Sequence, residues 1–214
     1  WYDCSDESTM TVSGSDISQL NDKSGNARHA TMATSTKQPD KISSCQNGLS
    51  CCRFDGSDDK FDASTGTDRS TFSVVVVAKS SRQRRYDALL DSLNGATGDL
   101  TLEVGFGGNS FDFWINNAGS TALTTGTWSL NTVFDVMGSY DNTTFNLYIN
   151  NSGNGTGTNA GRLFRQNFAI GGNYASAAFY HWKDDIYEIL IYSKVLSSTE
   201  RSNLRTYLTA KWGY

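Results

Sequence analysis

The chain has 214 residues, of which 18 are basic, 22 are acidic and 12% are aromatic. The net charge of −4 argues against nucleic acid as a partner, because nucleic-acid-binding domains usually present a basic face. No run of 18 apolar residues occurs, so the sequence predicts no insertion into a membrane. The length suits one large β domain over residues 1–214.

Short apolar segments recur along the chain between clusters of Gly, Asn and Ser. Their length and their content of Val, Ile, Phe and Tyr are typical of strands in an antiparallel sandwich. The predicted strands cover residues 49–54, 72–78, 87–93, 100–106, 111–115, 133–140, 145–149, 164–170 and 186–192. The segment 71–77 begins with alternation and becomes continuously apolar, which predicts a central strand buried on both faces.

One helix is predicted, over residues 197–211. Ser197 and Glu200 form a capping box, in which each side chain bonds to the backbone of the other residue. The apolar residues that follow have helical spacing and form one stripe that can pack on the sandwich. They are Leu204, Tyr207, Leu208 and Trp212.

The four cysteines are Cys4, Cys45, Cys51 and Cys52. Their spacing does not suit zinc, whereas an even count suits disulfides in an oxidising compartment. Cys51 and Cys52 are adjacent in a predicted strand, so they point to opposite faces and need different partners. We favour Cys45–Cys51, which closes a short turn, together with Cys4–Cys52. The alternative is four free, partly buried thiols.

An ordered series of weak motifs covers essentially the whole chain and resembles a laminin-G-like domain of the concanavalin A-like lectin/glucanase type. The resemblance implies two antiparallel sheets with jelly-roll connections, in modules of secreted, cell-surface and viral proteins that bind glycans or proteins. Cys4 and Cys52 stand where relatives usually carry small or aliphatic residues, and Lys183 or Asp184 replaces a common Gly. The matching segments are residues 1–6, 21–26, 29–31, 38–39, 53–59, 72–79, 128, 148–150, 170–172, 186–192 and 196–213.

The resemblance also implies a Ca²⁺ ion on the rim of the sandwich as a candidate cofactor. Calcium prefers oxygen ligands, and the better candidate clusters are residues 55–59 and the pair Asp141 and Asn142. Neither cluster has the ordered spacing of a calcium loop, so the sequence assigns no ligands.

Glycan binding requires aromatic faces beside hydrogen-bonding side chains. In residues 111–116, alternation predicts that Phe111 and Phe113 point inward and that Trp114 and Asn116 point outward. Trp114 is then either an exposed platform for a sugar or a ring packed under a loop. The loop 173–182 supplies three further candidate rings, which are Tyr174, Tyr180 and Trp182.

An enzyme on this scaffold would need two carboxylates facing one cleft. Alternation places Asp184 and Glu188 on one face, but roughly 13 Å apart along the strand, beyond the separation that glycoside hydrolysis uses. The sequence therefore favours no catalytic residue and predicts a structural hydrogen bond for Glu188.

The glycine-rich segments 105–108 and 153–157 are predicted as turns, and residues 82–85 as a solvated basic loop.

Three sequons make Asn142, Asn150 and Asn154 candidate glycosylation sites on predicted hairpin tips. Asn-rich turn chemistry alone is the alternative interpretation.

These observations favour a non-catalytic recognition or adhesion module that is extracellular or surface-displayed, including on a virion. Its expected partner is a glycan or a protein surface. One alternative is a structural or decoration subunit of a virion, fibre or extracellular filament, which would contact copies of itself. A polysaccharide-active enzyme, either a glycoside hydrolase or a polysaccharide lyase, is the weaker alternative.

Overall fold

A computed structural model describes residues 1–92, 100–105, 110–115, 121–125, 128–174 and 180–214. Within these ranges the chain forms one α-helix, α1 (Ser198–Trp212), two short 3-10 helices (Glu7–Thr9 and Ser35–Lys37) and a series of strands. The strands are β1 (Tyr2–Asp3), β2 (Met10–Ser13), β3 (Asp16–Leu20), β4 (Ala30–Thr31), β5 (Asp40–Gln46), β6 (Leu49–Asp55), β7 (Phe61–Ser64), β8 (Phe72–Lys79), β9 (Ala88–Asp91), β10 (Leu100–Val104), β11 (Phe111–Ile115), β12 (Thr121–Thr125), β13 (Phe134–Tyr140), β14 (Thr144–Ile149), β15 (Ser152–Thr158), β16 (Asn167–Ile170) and β17 (Lys183–Tyr192).

The strands form two antiparallel layers. The first, which we call the helix-side sheet, has the order β5–β6–β17–β8–β13–β14–β15, and β1 also pairs with β17. The second, which we call the open sheet, has the order β2–β3–β4–β7–β16–β9–β10–β11–β12. A single pairing between Asp16 and Asp40 links them. The predicted all-β antiparallel sandwich with one C-terminal helix is confirmed.

The main core lies between the two sheets and is rich in aromatic rings. Phe111 lies 5.1 Å from Phe134, 5.6 Å from Trp128 and 6.4 Å from Trp182, measured between ring centroids. Offset and edge-on contacts of this kind stabilise a core beyond the area that they bury. The inward orientation predicted for Phe111 and Phe113 is confirmed, because both are fully buried.

A second core lies between the helix-side sheet and α1. In β8, Val74 and Val76 pack in the main core, whereas Val75 and Val77 pack in the second core with Trp212. The prediction of a central strand buried on both faces is therefore confirmed. The helix covers the outer face and makes a continuous apolar strand favourable there.

The capping box of the helix is also confirmed. The Ser197 hydroxyl accepts a hydrogen bond from the Glu200 N–H, and the Glu200 carboxylate accepts one from the Ser197 N–H. At the other end, Gly213 has a φ of 71° and its N–H donates to the Thr209 carbonyl. Glycine suits this left-handed C-terminal position because it has no Cβ.

Both favoured disulfides are present, with Cα–Cα distances of 5.6 Å for Cys4–Cys52 and 5.8 Å for Cys45–Cys51. Cys52 lies in the main core and Cys51 in the core under α1, so the adjacent cysteines do point to opposite faces.

A β-bulge in β17 overturns the prediction that Asp184 and Glu188 share a face. The register against β8 moves from Ile186 to Glu188 and leaves Tyr187 without a paired residue. Glu188 is therefore turned toward α1, where Trp212 Nε1 donates to its carboxylate. Asp184, with a φ of 78°, accepts from the N–H and hydroxyl of Ser81, and so takes a conformation that favours glycine.

Two further segments differ from their predictions. Residues 153–157 belong to strand β15 and are not a turn, because Gly157 leaves room for the ring of Phe145 on the paired strand. The basic segment 82–85 is not simply solvated, since Arg82 Nε and Arg84 Nε each donate to the buried Asp87 carboxylate at 2.8 Å.

Candidate functional site

The outward face of the open sheet carries carboxylates where its inward face carries apolar side chains. Leu102 points into the main core, and the neighbouring Glu103 points outward. Glu103 lies directly opposite Asp112 on β11, and Asp91 on β9 lies opposite Thr101. Three acidic residues from three adjacent strands therefore share one face.

Asp91 accepts a hydrogen bond on each of its carboxylate oxygens. Its Oδ1 accepts from the Thr101 hydroxyl at 2.8 Å, and its Oδ2 accepts from the Tyr174 N–H at 2.9 Å. The second bond attaches the loop after β16 to this face of the sheet.

Asp112 is different, because its side chain is 3% exposed and its Oδ1 has no hydrogen-bond partner within the described residues. Ser110 Oγ beside it is also unpartnered there. A Cβ at Gly105 would overlap Asp112 Oδ1, so glycine is required at that position for this carboxylate to fit. Buried polar atoms are normally hydrogen-bonded, so these two atoms mark a place where an added donor would be favourable.

Glu103 is 8% exposed. Burial, reinforced by the negative charges of Asp112 and Asp91, raises the pKa of Glu103 to about 8, against the opposing effect of Arg85. At neutral pH this carboxyl group is therefore mostly protonated and can donate a hydrogen bond as well as accept one.

Two aromatic residues adjoin β9 and β10 through their backbone. Tyr86 and Tyr180 meet edge to face with ring centroids 5.1 Å apart, and the Arg85 guanidinium lies 4.1 Å from the centre of the Tyr86 ring. Together with Arg84, these residues line a cavity of about 270 Å³.

The backbone holds both tyrosines at this position. The Tyr86 N–H donates to the Val104 carbonyl, and the Ala88 N–H donates to the Tyr180 carbonyl. Tyr86 and Tyr180 have φ values of 72° and 85°, which are costly for bulky side chains. Strain of this kind concentrates at functional sites, where the surrounding structure maintains it.

The sugar-binding candidates have different outcomes. Tyr174 and Tyr180 are half-buried and lie beside this face, and the register places Trp114 opposite Thr101 in the same row as Asp91. Asn116 lies outside the described residues. The prediction for Trp182 is wrong, because its side chain is 0% exposed and packs between the sheets.

The sequence pattern did not single out Tyr86, Asp91, Glu103 and Asp112 as site residues. The polar–apolar alternation in residues 100–104 and 111–115 is the signal that could have put Glu103 and Asp112 on outward faces. Nothing in the pattern indicated that the two strands pair with these residues opposite each other.

Of the two calcium candidates, the structure brings together the first. Asp55, Asp58 and Asp59 each offer a carboxylate oxygen within 4.8 Å of the others, which fits the oxygen preference of Ca²⁺. Asp55 Oδ1 already accepts from the backbone of residues 57–59, so it also shapes the loop. Asp141 Oδ1 accepts from the Thr143 and Thr144 N–H groups and closes the β13–β14 turn.

The glycosylation candidates divide by position. Asn142 and Asn150 are exposed in the turns on either side of β14, as predicted. Asn154 lies within β15, so its predicted hairpin-tip position is wrong.

The family model Laminin_G_3, described as concanavalin A-like lectin/glucanases superfamily, matches residues 55–200. The chain belongs to this family. No curated protein matches it in sequence.

Three solved structures share the fold of this laminin G-like domain. Domain 4 of AbnA, a GH43 extracellular arabinanase from Geobacillus stearothermophilus in complex with arabinotriose, has a TM-score of 0.67 at 18% identity, covering 78% of this chain and 81% of that one. The botulinum neurotoxin type G receptor binding domain has a TM-score of 0.65 at 14% identity, covering 88% and 48%. Trypanosoma rangeli sialidase has a TM-score of 0.67 at 16% identity, covering 95% and 32%. The chain thus spans less than half the length of the last two.

The two disulfides and the laminin G-like fold indicate an extracellular protein. In the part of the chain that the structure describes, α1 is neither long enough nor apolar enough to cross a bilayer.

Proposed function

We propose that this laminin G-like domain is an extracellular, non-catalytic recognition module that binds a glycan on the outward face of β9, β10 and β11. The observation that carries the proposal is Asp112 Oδ1, which is buried opposite Glu103 and has no hydrogen-bond partner within the described residues. The Tyr86–Tyr180 pair lies on the other side of β10, where the Tyr86 N–H donates to the Val104 carbonyl. Carboxyl groups hydrogen-bond to sugar hydroxyls, and aromatic rings cover the apolar faces of sugar rings.

The comparisons support a sugar-binding or receptor-binding role at a coarse level. AbnA domain 4 is described in complex with arabinotriose, and the sialidase in complex with sialic acid. The neurotoxin neighbour is a receptor binding domain. These neighbours share the fold with this chain, and the proposal for its ligand depends on the chain's own residues.

The test is glycan-array screening followed by calorimetry on the best hit. Tyr180→Ala and Tyr86→Ala should each weaken binding about five- to thirtyfold, since stacking and cation–π contacts contribute roughly 1–2 kcal/mol. Tyr207→Ala is the matched control, because it removes an exposed ring from α1 on the other side of the sandwich. Equal affinity of the Tyr180 and control variants would show that the sugar binds elsewhere.

One observation favours a second candidate, a retaining glycoside hydrolase. Glu103 and Asp112 are directly opposite on antiparallel strands, so two carboxyl groups face the same side of the sheet, as glycoside hydrolysis requires. Both side chains are nevertheless more than nine-tenths buried, which suits one hydrogen bond to a ligand better than attack on a sugar ring. Release of reducing ends that both Glu103→Gln and Asp112→Asn abolish would establish the enzyme.

An assembly role finds less support. Among the described residues the exposed large apolar side chains are Val12, Leu130 and Tyr207, which lie in β2, in the turn before β13 and in α1. Subunits of stable assemblies usually bury a contiguous apolar patch. We therefore place recognition before a role in a virion, fibre or filament.

A further inference from the structure

A second pocket lies away from the carboxylate face and shares no lining residue with it. It has a volume of about 120 Å³ and lies between the first residues of the chain, the turn after β7 and the end of β17. For comparison, an apolar cavity of about 150 Å³ holds a benzene molecule. The space therefore suits one small group and not a chain of sugars.

Two guanidinium groups define the pocket. Arg69 Nη2 donates to the Thr65 carbonyl at 3.3 Å. The Arg28 guanidinium packs against the next residue of the turn, Gly66, so closely that a Cβ added there would lie 2.8 Å from Arg28 Nη2. The two arginines thus converge on a single turn. Across the residues that the structure describes, neither arginine forms an ion pair with an acidic side chain.

The backbone of Arg28 is held in place from both sides. Its carbonyl accepts from the hydroxyl of the buried Tyr2 at 2.6 Å, and its N–H donates to Asp22 Oδ2 at 3.2 Å. A guanidinium that projects from a fixed backbone loses less entropy when it binds an anion.

Asp22 is the acidic residue of the pocket wall, and its carboxylate is already engaged. It accepts from the N–H and hydroxyl of Ser24, from the Arg28 N–H and from the Trp1 amino group. The pocket wall therefore contains one acidic and two basic side chains, which gives it an excess of positive charge although the net charge of the chain is −4. The hydroxyls of Ser64, Thr65 and Ser193 add neutral donors to its wall.

We infer that this pocket binds the oxyanion of a small acidic sugar, a carboxylate or a sulfate, between Arg28 and Arg69. Guanidinium groups hold both oxyanions through paired N–H bonds, and a volume of about 120 Å³ accommodates the anionic group with part of one ring. The inference does not depend on glycan binding at the carboxylate face, because the two sites use different residues.

The test is to titrate the whole domain with glucuronate, galactose 6-sulfate, inorganic sulfate and neutral galactose. Calorimetry measures the affinity, and NMR of the arginine Nε–H signals shows which arginines contact the ligand. An acidic sugar should bind more tightly than galactose and shift the Arg28 and Arg69 signals. Comparison of glucuronate with galactose 6-sulfate identifies which oxyanion is preferred. Arg28→Gln and Arg69→Gln should each weaken binding at least about tenfold.

Arg162→Gln is the matched control, because it removes the same charge from a guanidinium that bonds to Asn159 Oδ1, outside the pocket. It should leave the affinity unchanged. Equal weakening by the control, or unchanged binding in a folded Arg28→Gln/Arg69→Gln double variant, would overturn the inference, as would the absence of binding by any acidic sugar. Neutral glycan binding that depends on Tyr180 should persist in the double variant, so failure of one proposal is distinguishable from failure of the other.

Discussion

At the scale of single residues, Glu103 and Asp112 show how one environment gives neighbouring acids different roles. Glu103 is buried among like charges and holds its proton, whereas Asp112 Oδ1 is an acceptor without a partner in the described chain. A protonated donor and a free acceptor side by side can engage two hydroxyls of the same sugar.

The proton on Glu103 should make stability depend on pH. Folding raises the pKa of Glu103 from 4.5 to about 8, so the native state retains a proton that the unfolded state releases between those values. The free energy of unfolding should therefore fall as pH rises from about 4.5 to 8, by up to a few kcal/mol. Asp59, whose pKa burial raises to about 7, acts in the same direction.

Urea unfolding at a series of pH values checks this expectation. Glu103→Gln should reduce the decline, chiefly above pH 7, and leave the part that Asp59 causes, and it should be more stable than the parent at pH 8. Asp16→Asn is a charge-matched control outside the site. A parent protein whose stability rises between pH 5 and 8, or a Glu103→Gln variant with the same slope, would contradict the assignment.

At the scale of elements, α1 is attached to the sheet through one buried carboxylate. Glu188 Oε1 accepts from Trp1 Nε1 and the Tyr207 hydroxyl, and Oε2 accepts from Lys211 Nζ and Trp212 Nε1. The bulge at Tyr187 turns Glu188 toward these donors. Glu188 thus has a structural role, as the sequence predicted.

Replacing this carboxylate should loosen the helix without affecting sugar binding. In Glu188→Gln the amide NH₂ group faces two hydrogen-bond donors, and the negative charge next to Lys211 is lost. We expect these two changes to lower the free energy of unfolding by about 3–5 kcal/mol. Guanidinium unfolding measures the loss, and calorimetry on the folded variant checks binding. Loss of less than about 1 kcal/mol would show that the network is dispensable.

The two disulfides should contribute unequally. Cys4–Cys52 spans 48 residues and Cys45–Cys51 spans 6, so chain-entropy arguments give about 4 kcal/mol and about 2 kcal/mol respectively. Paired Cys→Ser variants compared by guanidinium unfolding test the ranking. A larger loss from the short bridge would mean that local packing outweighs loop closure.

At the scale of the whole molecule, the fold was predictable because each strand carries its own signal. The β8 segment is apolar without interruption and α1 has a capping box, and neither feature depends on distant contacts. The bulge in β17 was not predictable, since it arises from pairing with β8, more than a hundred residues earlier.

The candidate site was only partly predictable for the same reason. Tyr174 and Tyr180 were identified from composition, but a loop with several rings does not show which of them, like Trp182, fills the core. Glu103 and Asp112 became a pair only through the register of β10 with β11. Cross-strand adjacency is a property of the assembled sheet and not of either segment.

The adjacent cysteines of β6 also constrain how the sheet is assembled. Sliding β6 by one residue against its neighbours would exchange the faces of Cys51 and Cys52 and present each thiol to the wrong partner. We therefore expect both native bridges to close together only when the strand is correctly aligned. A chain oxidised before the strand is aligned would contain non-native disulfides, which persist until thiol–disulfide exchange breaks them.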